Sequence, residues 1–261
     1  MSSPTNAVIL AAGHGSRMGA LTADRPKALL NVAGYSLIDR QLDALTLSGV
    51  TNITVVSGYK HHVLQQHLGS RVSYVHNERY QKSNSLYSLW LARDVLRGGA
   101  IVMNSDILVS PVLIARLLGT PARDAALVDP REDMGDEEMK VRLSNGFITE
   151  FGKDLPIAEA SGENVGILKF GREGGRRLIR HLDMLVQIGM TSAWAPLAFS
   201  ALAREWPLVA VSTRGIPWTE IDFPDDLARA EQLAAAQLVP TGSDPRTGTD
   251  TGVRPPYRYA A

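Results

Sequence analysis

Apolar strand-like runs that alternate with segments of helical period constrain this chain more than any other feature. "NAVILAAG" reads as a first strand, and Leu37, Ile38, Leu42 and Leu45 then recur at helical spacing until Gly49. "NITVVSGY", a short helix over 60–68, "RVSYV", a helix from Ser85 to Leu96 and "AIVMNSD" continue the alternation. "ENVGILKF", helices over about 172–189 and 195–204, "LVAVS" and a last helix from Pro224 complete it. Alternation of this kind predicts an α/β protein with a mostly parallel sheet wound by helices. "KVRLSNGFITEF" departs from the alternation. Its two runs flank Ser144, Asn145 and Gly146, which predicts a β-hairpin inserted in the alternation.

The first strand ends in "AAGHGSRMG", which spends Gly13, Gly15 and Gly19 around Arg17. Glycine lets backbone N–H groups approach an anion closely, so the loop reads as a phosphate cradle. It is not a P-loop, because no lysine follows its second glycine, and Met18 stands where a dinucleotide fingerprint needs its third glycine. A plain strand-to-helix turn is the competing reading. Lys and Arg together number 27, as do Asp and Glu, so any anion is held locally rather than by an overall basic field. That balance argues against nucleic acid and an anionic membrane as partners. With no cysteine, disulfides, thiolate metal sites and cysteine nucleophiles are excluded. The N-terminal run has no basic flank and is interrupted by glycine, which predicts neither a signal peptide nor a membrane span, hence a cytoplasmic protein. From Val239 onward apolar periodicity is lost, so the expected organisation is one domain over 1–238 and a disordered tail over 239–261.

Leu10, Ala11, Ala12, Gly13, Gly15, Arg17, Met18, Pro26 and Lys27 together resemble the signature of the nucleotidyltransferase superfamily, and the resemblance extends from residue 7 to about 238. It implies a Rossmann-like α/β fold, a nucleoside triphosphate bound over the first strand and transfer of a nucleotidyl group. The residue types suit that chemistry, since joining two phosphate anions demands charge neutralisation and in-line positioning. Arg17 and Lys27 are the candidate catalytic cations, with Ser16 beside them in the loop. Asp106 in "NSD" and Asp222 in "EID" resemble the superfamily's metal-binding positions and would hold Mg²⁺; helix capping ahead of Pro224 is the competing reading of Asp222. Where some relatives have D-x-D, this chain has Asn104, Ser105 and Asp106, which implies one principal ion.

"QKSNSLYSLW" resembles the pyrimidine-contacting segment of choline-phosphate cytidylyltransferases. The resemblance makes Ser83, Asn84 and Ser85 candidates for the base, with the backbone at Leu10 to Gly13 and Gly58 nearby, and implies CTP. Ser85 also reads as a helix N-cap. "DEEMKV" resembles small-acceptor cytidylyltransferases that act on phosphonates. Lys140 is then the expected anchor, and a catalytic cation, for the acceptor's anionic group; Glu163 and Asn164 are expected at its other end. Arg131, Arg172, Arg176 and Arg177 are further candidates to grip a compact anion, and Trp194 and Trp218 are the candidate walls for a choline headgroup. The expected function is CMP transfer from CTP to a small phosphonate or similar phosphomonoester, with pyrophosphate released. A choline-phosphate cytidylyltransferase, a sugar-1-phosphate nucleotidyltransferase and a non-catalytic nucleotide-binding regulatory module are the alternatives, and homo-oligomerisation is left open.

Overall fold

The computed structural model describes residues 4–240 and 257–259. Its centre is a nine-stranded sheet. The strands are β1 (Asn6–Ala11), β2 (Asn52–Ser57), β3 (Ser73–His76), β4 (Ala100–Asn104), β5 (Ala125–Asp129), β6 (Lys140–Ser144), β7 (Phe147–Gly152), β8 (Gly162–Phe170) and β9 (Val209–Ser212). Their spatial order is β3-β2-β1-β4-β8-β5-β9-β7-β6, and β8 also pairs with β6. β3, β2, β1 and β4 run parallel, with Ile9 opposite Val55 and Leu10 opposite Asn104. Beyond β4 the sheet is mixed: β8 is antiparallel to β4 and β5, while β5 and β9 are parallel. The chain winds from β1 outward to β3 and then returns to β4 on the other side of β1. That reversal leaves a crevice at the carboxyl ends of β1 and β4, where open α/β sheets bind ligands.

The helices are α1 (Leu37–Leu47), α2 (His61–Leu68), α3 (Ser85–Leu91), α4 (Arg93–Leu96), α5 (Pro111–Gly119), α6 (Arg172–Gln187), α7 (Pro196–Ala203) and α8 (Pro224–Gln237). Successive side chains of a strand face opposite ways, and β1 is covered on both sides. Ala7, Ile9 and Ala11 join a core with Ile38 and Leu45 of α1, Leu64 of α2 and Leu113 of α5. Val8 and Ala12 join a second core with Leu89 of α3, Leu178 and Leu182 of α6 and Phe199 of α7. A smaller cluster packs Ala230 and Ala234 of α8 on Met18, Leu30, Leu37 and Leu108, which ties the glycine loop to the last helix.

The expected hairpin forms as β6 and β7, with Asn145 and Gly146 at φ of 51° and 81°, the pair of positive values that a tight two-residue turn needs. The helix expected from Ser85 to Leu96 is broken at Ala92, where ψ reaches 10° and Arg93 donates to the Trp90 carbonyl at 3.0 Å. α5 and β5 are absent from the sequence-based expectation. β5 carries Ala125, Ala126, Leu127 and Val128 buried on both faces, so it has no alternation to read. The tail expected to lack structure lies outside the described residues at 241–256 and 260–261, while Leu238–Pro240 and Tyr257–Tyr259 form a short antiparallel pair. Among the described residues no helix is long and apolar enough to cross a membrane.

Candidate active site

A cleft of about 340 Å³ opens at the carboxyl ends of β1 and β4. On one side the chain leaves β1 through Ala12 and Gly13 and turns at Gly15, whose φ is 66°. A Cβ on Gly15 would lie 3.0 Å from Cβ of Lys27, so glycine lets the loop rest on the lysine stem. Thr22 donates to the Gly15 carbonyl at 3.0 Å and closes the turn that projects Arg17.

Asp106 follows β4 after a break in the chain direction. Gln41, buried on α1, donates to the carbonyls of Asn104 at 3.0 Å and Ile107 at 2.8 Å and so holds both sides of that break. On β8, Gly166 has φ of 82°, and a Cβ there would meet the Asn104 amide at 2.8 Å. A bare backbone at Gly166 is therefore what admits Asn104. Ile107–Leu108 pairs antiparallel with Thr219–Glu220, and Ile221 donates to the Asp106 carbonyl at 2.9 Å. These bonds bring Glu220 and Asp222 alongside Asp106.

Ligand oxygens of Asp106, Glu220 and Asp222 lie within 4.8 Å of one another. Lys27 donates to Asp106 at 3.0 Å and bonds Asp222; Arg17 reaches Asp222 at 3.2 Å. Burial depresses the Lys27 pKa, but Asp106 and Asp222 outweigh it and the net displacement is upward, so this ammonium stays charged. Glu220 moves the opposite way. Burial first, then the charges of Asp106 and Asp222, push its pKa well above the usual carboxylate range. Oδ1 of Asp106 is buried with no hydrogen-bond partner. Crowded carboxylates with an orphaned acceptor oxygen fit a hard divalent cation, which takes oxygen ligands and relieves their repulsion.

Asp222 does not cap α8. The backbone N–H groups of Asp222 and Phe223 donate to Asp226 at 2.9 and 2.8 Å, leaving the Asp222 carboxylate to Lys27 and Arg17. Asn84, not Ser85, caps α3, accepting from Ser85 N at 2.8 Å, while the Ser85 hydroxyl accepts from Ala195 N at 2.8 Å. Asn77 donates to Ser83 at 3.1 Å and to Ser88 at 3.0 Å, forming a polar floor to that end of the cleft.

Leu10, Ala12, Gly13, Gly15, Arg17, Lys27, Ser83, Asn84, Ser85, Asp106, Asn164 and Asp222 line the cleft. Ala11 is buried in the core, Ser16 is exposed without lining the cleft, and Gly58 packs so closely that a Cβ would meet the Ala12 carbonyl at 2.6 Å. Lys140 requires a correction. It is 2% exposed, and its ammonium donates to the Lys153 carbonyl at 2.6 Å, so it does not reach the cleft. Glu163 is likewise turned inward, 2.9 Å from Arg131. Burial first, opposed by Arg131 and reinforced by Glu138 and Asp129, pushes the Glu163 carboxyl up to about 7. None of Arg131, Arg172, Arg176 and Arg177 lines the cleft. Trp218 donates to Asp129 at 3.0 Å and is no wall either, whereas Trp194 does line the cleft.

Sequence reasoning missed Glu220, Glu137 and Lys153, all of which line the cleft. Glu220 had a signal, since residues 220 and 222 share a face if "TEID" is extended. Lys153 had none, because only the folding back of β7 brings its ammonium within 3.1 Å of Glu137 and 4.8 Å of the Trp194 ring centre.

Cations and carboxylates thus face one another across the switch-point crevice of an α/β protein. The sequence matches the MobA-like NTP transferase domain over residues 7–205, and the chain belongs to that family. It is 32% identical over 233 residues to a bifunctional IPC transferase and DIPP synthase of Rubrobacter xylanophilus, an alignment covering 87% of this chain and 51% of that protein. The chain thus spans about half the length of that relative. It is 28% identical over 251 residues to a CTP:phosphoglutamine cytidylyltransferase of Campylobacter jejuni, covering 85% of this chain and 97% of the relative. Among solved structures, a CTP:phosphocholine cytidylyltransferase of Streptococcus pneumoniae superposes with a TM-score of 0.72 at 23% identity, covering 88% of this chain and 98% of the other, which establishes the common fold.

Proposed function

We propose that the protein is a cytidylyltransferase that moves CMP from CTP to a small phosphonate or phosphomonoester and releases pyrophosphate. The observation that carries this reading is the convergence of Arg17, Lys27 and Lys153 on one cleft that also holds Asp106, Glu220 and Asp222. Attack of an acceptor oxygen on the α-phosphorus brings two anions together, so the residues are needed as electrostatic partners rather than as nucleophiles. Asp106, Glu220 and Asp222 would hold Mg²⁺, which when bound supplies charge neutralisation at the phosphates. Lys27, buried between Asp106 and Asp222, keeps its positive charge where the attacked phosphoryl group must lie. Arg17 presents a guanidinium, 43% exposed, to phosphate oxygens at the glycine loop.

The cleft's other end suits the base. Asn84, Ser85, Ser88 and Asn77 offer short polar groups, and the backbone at Leu10 to Gly13 runs alongside. The names of the relatives in Campylobacter and Streptococcus favour CTP over other triphosphates. For the acceptor, Lys153 takes the anchoring role expected of Lys140, and Lys140 acts through it by fixing the Lys153 carbonyl. Trp194 and Tyr80 give the cleft apolar faces against which a short acceptor chain can lie.

The test is pyrophosphate release with each of CTP, UTP, GTP and ATP against 2-aminoethylphosphonate, 2-hydroxyethylphosphonate, phosphonoformate and phosphocholine, with products identified by mass spectrometry. Turnover with CTP and a phosphonate is expected. Efficient turnover of phosphocholine alone would move the acceptor assignment to a choline ester, with Trp194 as its wall, and no turnover with any triphosphate would overturn the enzyme reading.

A further inference from the structure

The cleft contains one acidic side chain that serves neither the carboxylate cluster nor the fold. Oε2 of Glu137 lies 3.1 Å from Nη2 of Arg17 and 3.1 Å from Nζ of Lys153. These two cations come from opposite halves of the sheet, one after β1 and the other after β7. A single oxygen therefore bridges the mouth of the cleft. With its side chain 59% exposed, Glu137 contributes little to packing.

Its placement is nevertheless fixed from both sides. Arg131, at the start of the same loop, lies 2.9 Å from the buried Glu163 and 3.3 Å from Glu138. Glu138 also accepts from Gly135 N at 2.8 Å, and the Met139 carbonyl accepts from Asn164 N at 2.8 Å. Lys153 is held as firmly, since its carbonyl takes the ammonium of the buried Lys140 at 2.6 Å. Glu137 and its two partners are thus presented to each other by separately anchored backbones.

We propose that Glu137 is an internal anion that occupies the Arg17 and Lys153 subsite in the substrate-free enzyme and must be displaced by substrate phosphoryl oxygens, so that it sets how strongly charged an anion the cleft accepts. This rests on the functional reading above, in which Arg17 and Lys153 hold phosphoryl groups. An exposed carboxylate pairs weakly with cations, whereas a phosphoryl dianion offers several charge-assisted bonds at once. A dianion displaces Glu137 readily, and a singly charged anion competes poorly. The Glu137 carboxyl is pulled below its usual range, chiefly by Lys153 and then by Arg17.

The test measures anion binding to the full-length, metal-free protein by calorimetry, with inorganic pyrophosphate, methylphosphonate and 2-aminoethylphosphonate as probes. In Glu137→Gln the dissociation constants for all three should fall by about two- to fivefold at low ionic strength, the scale of one exposed ion pair. Glu137→Ala should behave alike, which separates loss of charge from any new bond made by the amide. Unchanged or weaker binding of pyrophosphate and methylphosphonate overturns the proposal. So does weaker binding of 2-aminoethylphosphonate alone, because Glu137 would then be holding the acceptor's ammonium. The two readings fail separately: if the wild type transfers CMP but Glu137→Gln binds anions no tighter, only this proposal falls. If no triphosphate is turned over, the functional reading falls whatever the calorimetry gives.

Discussion

Asp222 precedes Pro224 in a position suited to capping α8, yet its side-chain oxygens go to Lys27 and Arg17 while Asp226 accepts the local N–H groups. Removing the charge should therefore act on chemistry rather than on the helix. Asp222→Asn is expected to lose about 10²-fold or more in kcat, the scale of several kcal/mol of charge stabilisation, with an unchanged melting temperature. Pyrophosphate release and thermal melts check both halves; a lowered melting point with near-normal turnover would return Asp222 to the capping role. Glu163 makes a different prediction at the same scale. Its carboxyl is pushed up to about 7 by burial, against an ordinary value of 4.5, so between these pH values the folded protein holds a proton that the unfolded chain has lost. Stability from this group is full below the lower value and is lost as pH rises to the upper one. The fall in melting temperature from about pH 5 to about pH 8 should be smaller in Glu163→Gln than in the wild type. An equal fall in both would show that Glu163 ionises normally.

Among the elements, α6 shows how closely helix and sheet layers meet. A Cβ on Gly175 would lie 2.1 Å from the Leu96 carbonyl oxygen, and one on Gly174 would lie 1.8 Å from the Asp124 carboxylate, which is already committed to Gly171 N and Trp206. Because the first obstacle is backbone, Gly175→Ala should destabilise the protein by about 1–3 kcal/mol in urea melts. Gly119→Ala, where nothing lies within 4 Å of a Cβ, is the control and should be neutral or slightly stabilising. A neutral Gly175→Ala would mean that α6 can shift on α4. The same contrast between local and non-local causes decides what the sequence could reveal. β1, α1 and the hairpin were legible because their periods and turn residues are local, and Arg17, Lys27, Asp106 and Asp222 stood out through their motifs. β5 was hidden by burial on both faces, and Lys153 by its dependence on where β7 ends. Lys140 misled for the same reason. It was expected to anchor the acceptor's anionic group, but pairing of β6 with β8 as well as β7 buries it.

At the scale of the whole molecule, the cleft joins two structurally distinct halves. Gly15, Arg17 and Lys27 come from the parallel half, while Glu137, Lys153 and Asn164 come from the mixed half, and Asp222 arrives from the chain just before α8. A ligand spanning these groups binds only the folded state and must raise its stability by mass action. At about 100 times its dissociation constant, CTP with Mg²⁺ should add about 2.7 kcal/mol, read as a melting shift that grows with the logarithm of CTP concentration. The shift should shrink on chelation and in Asp222→Asn, because crowded carboxylates without a cation repel the triphosphate. UTP should give a smaller shift, because its 4-oxo and N3–H groups reverse the donor and acceptor pattern of cytosine that the short polar groups at this end of the cleft would have to match. Double-stranded DNA should give none. With 27 basic and 27 acidic residues the chain has no overall field for a polyanion, and the cleft's Arg17, Lys27 and Lys153 are already paired with carboxylates. A DNA-induced shift, or a CTP shift equally large without metal and in Asp222→Asn, would mean that anions are held by diffuse attraction rather than by this site.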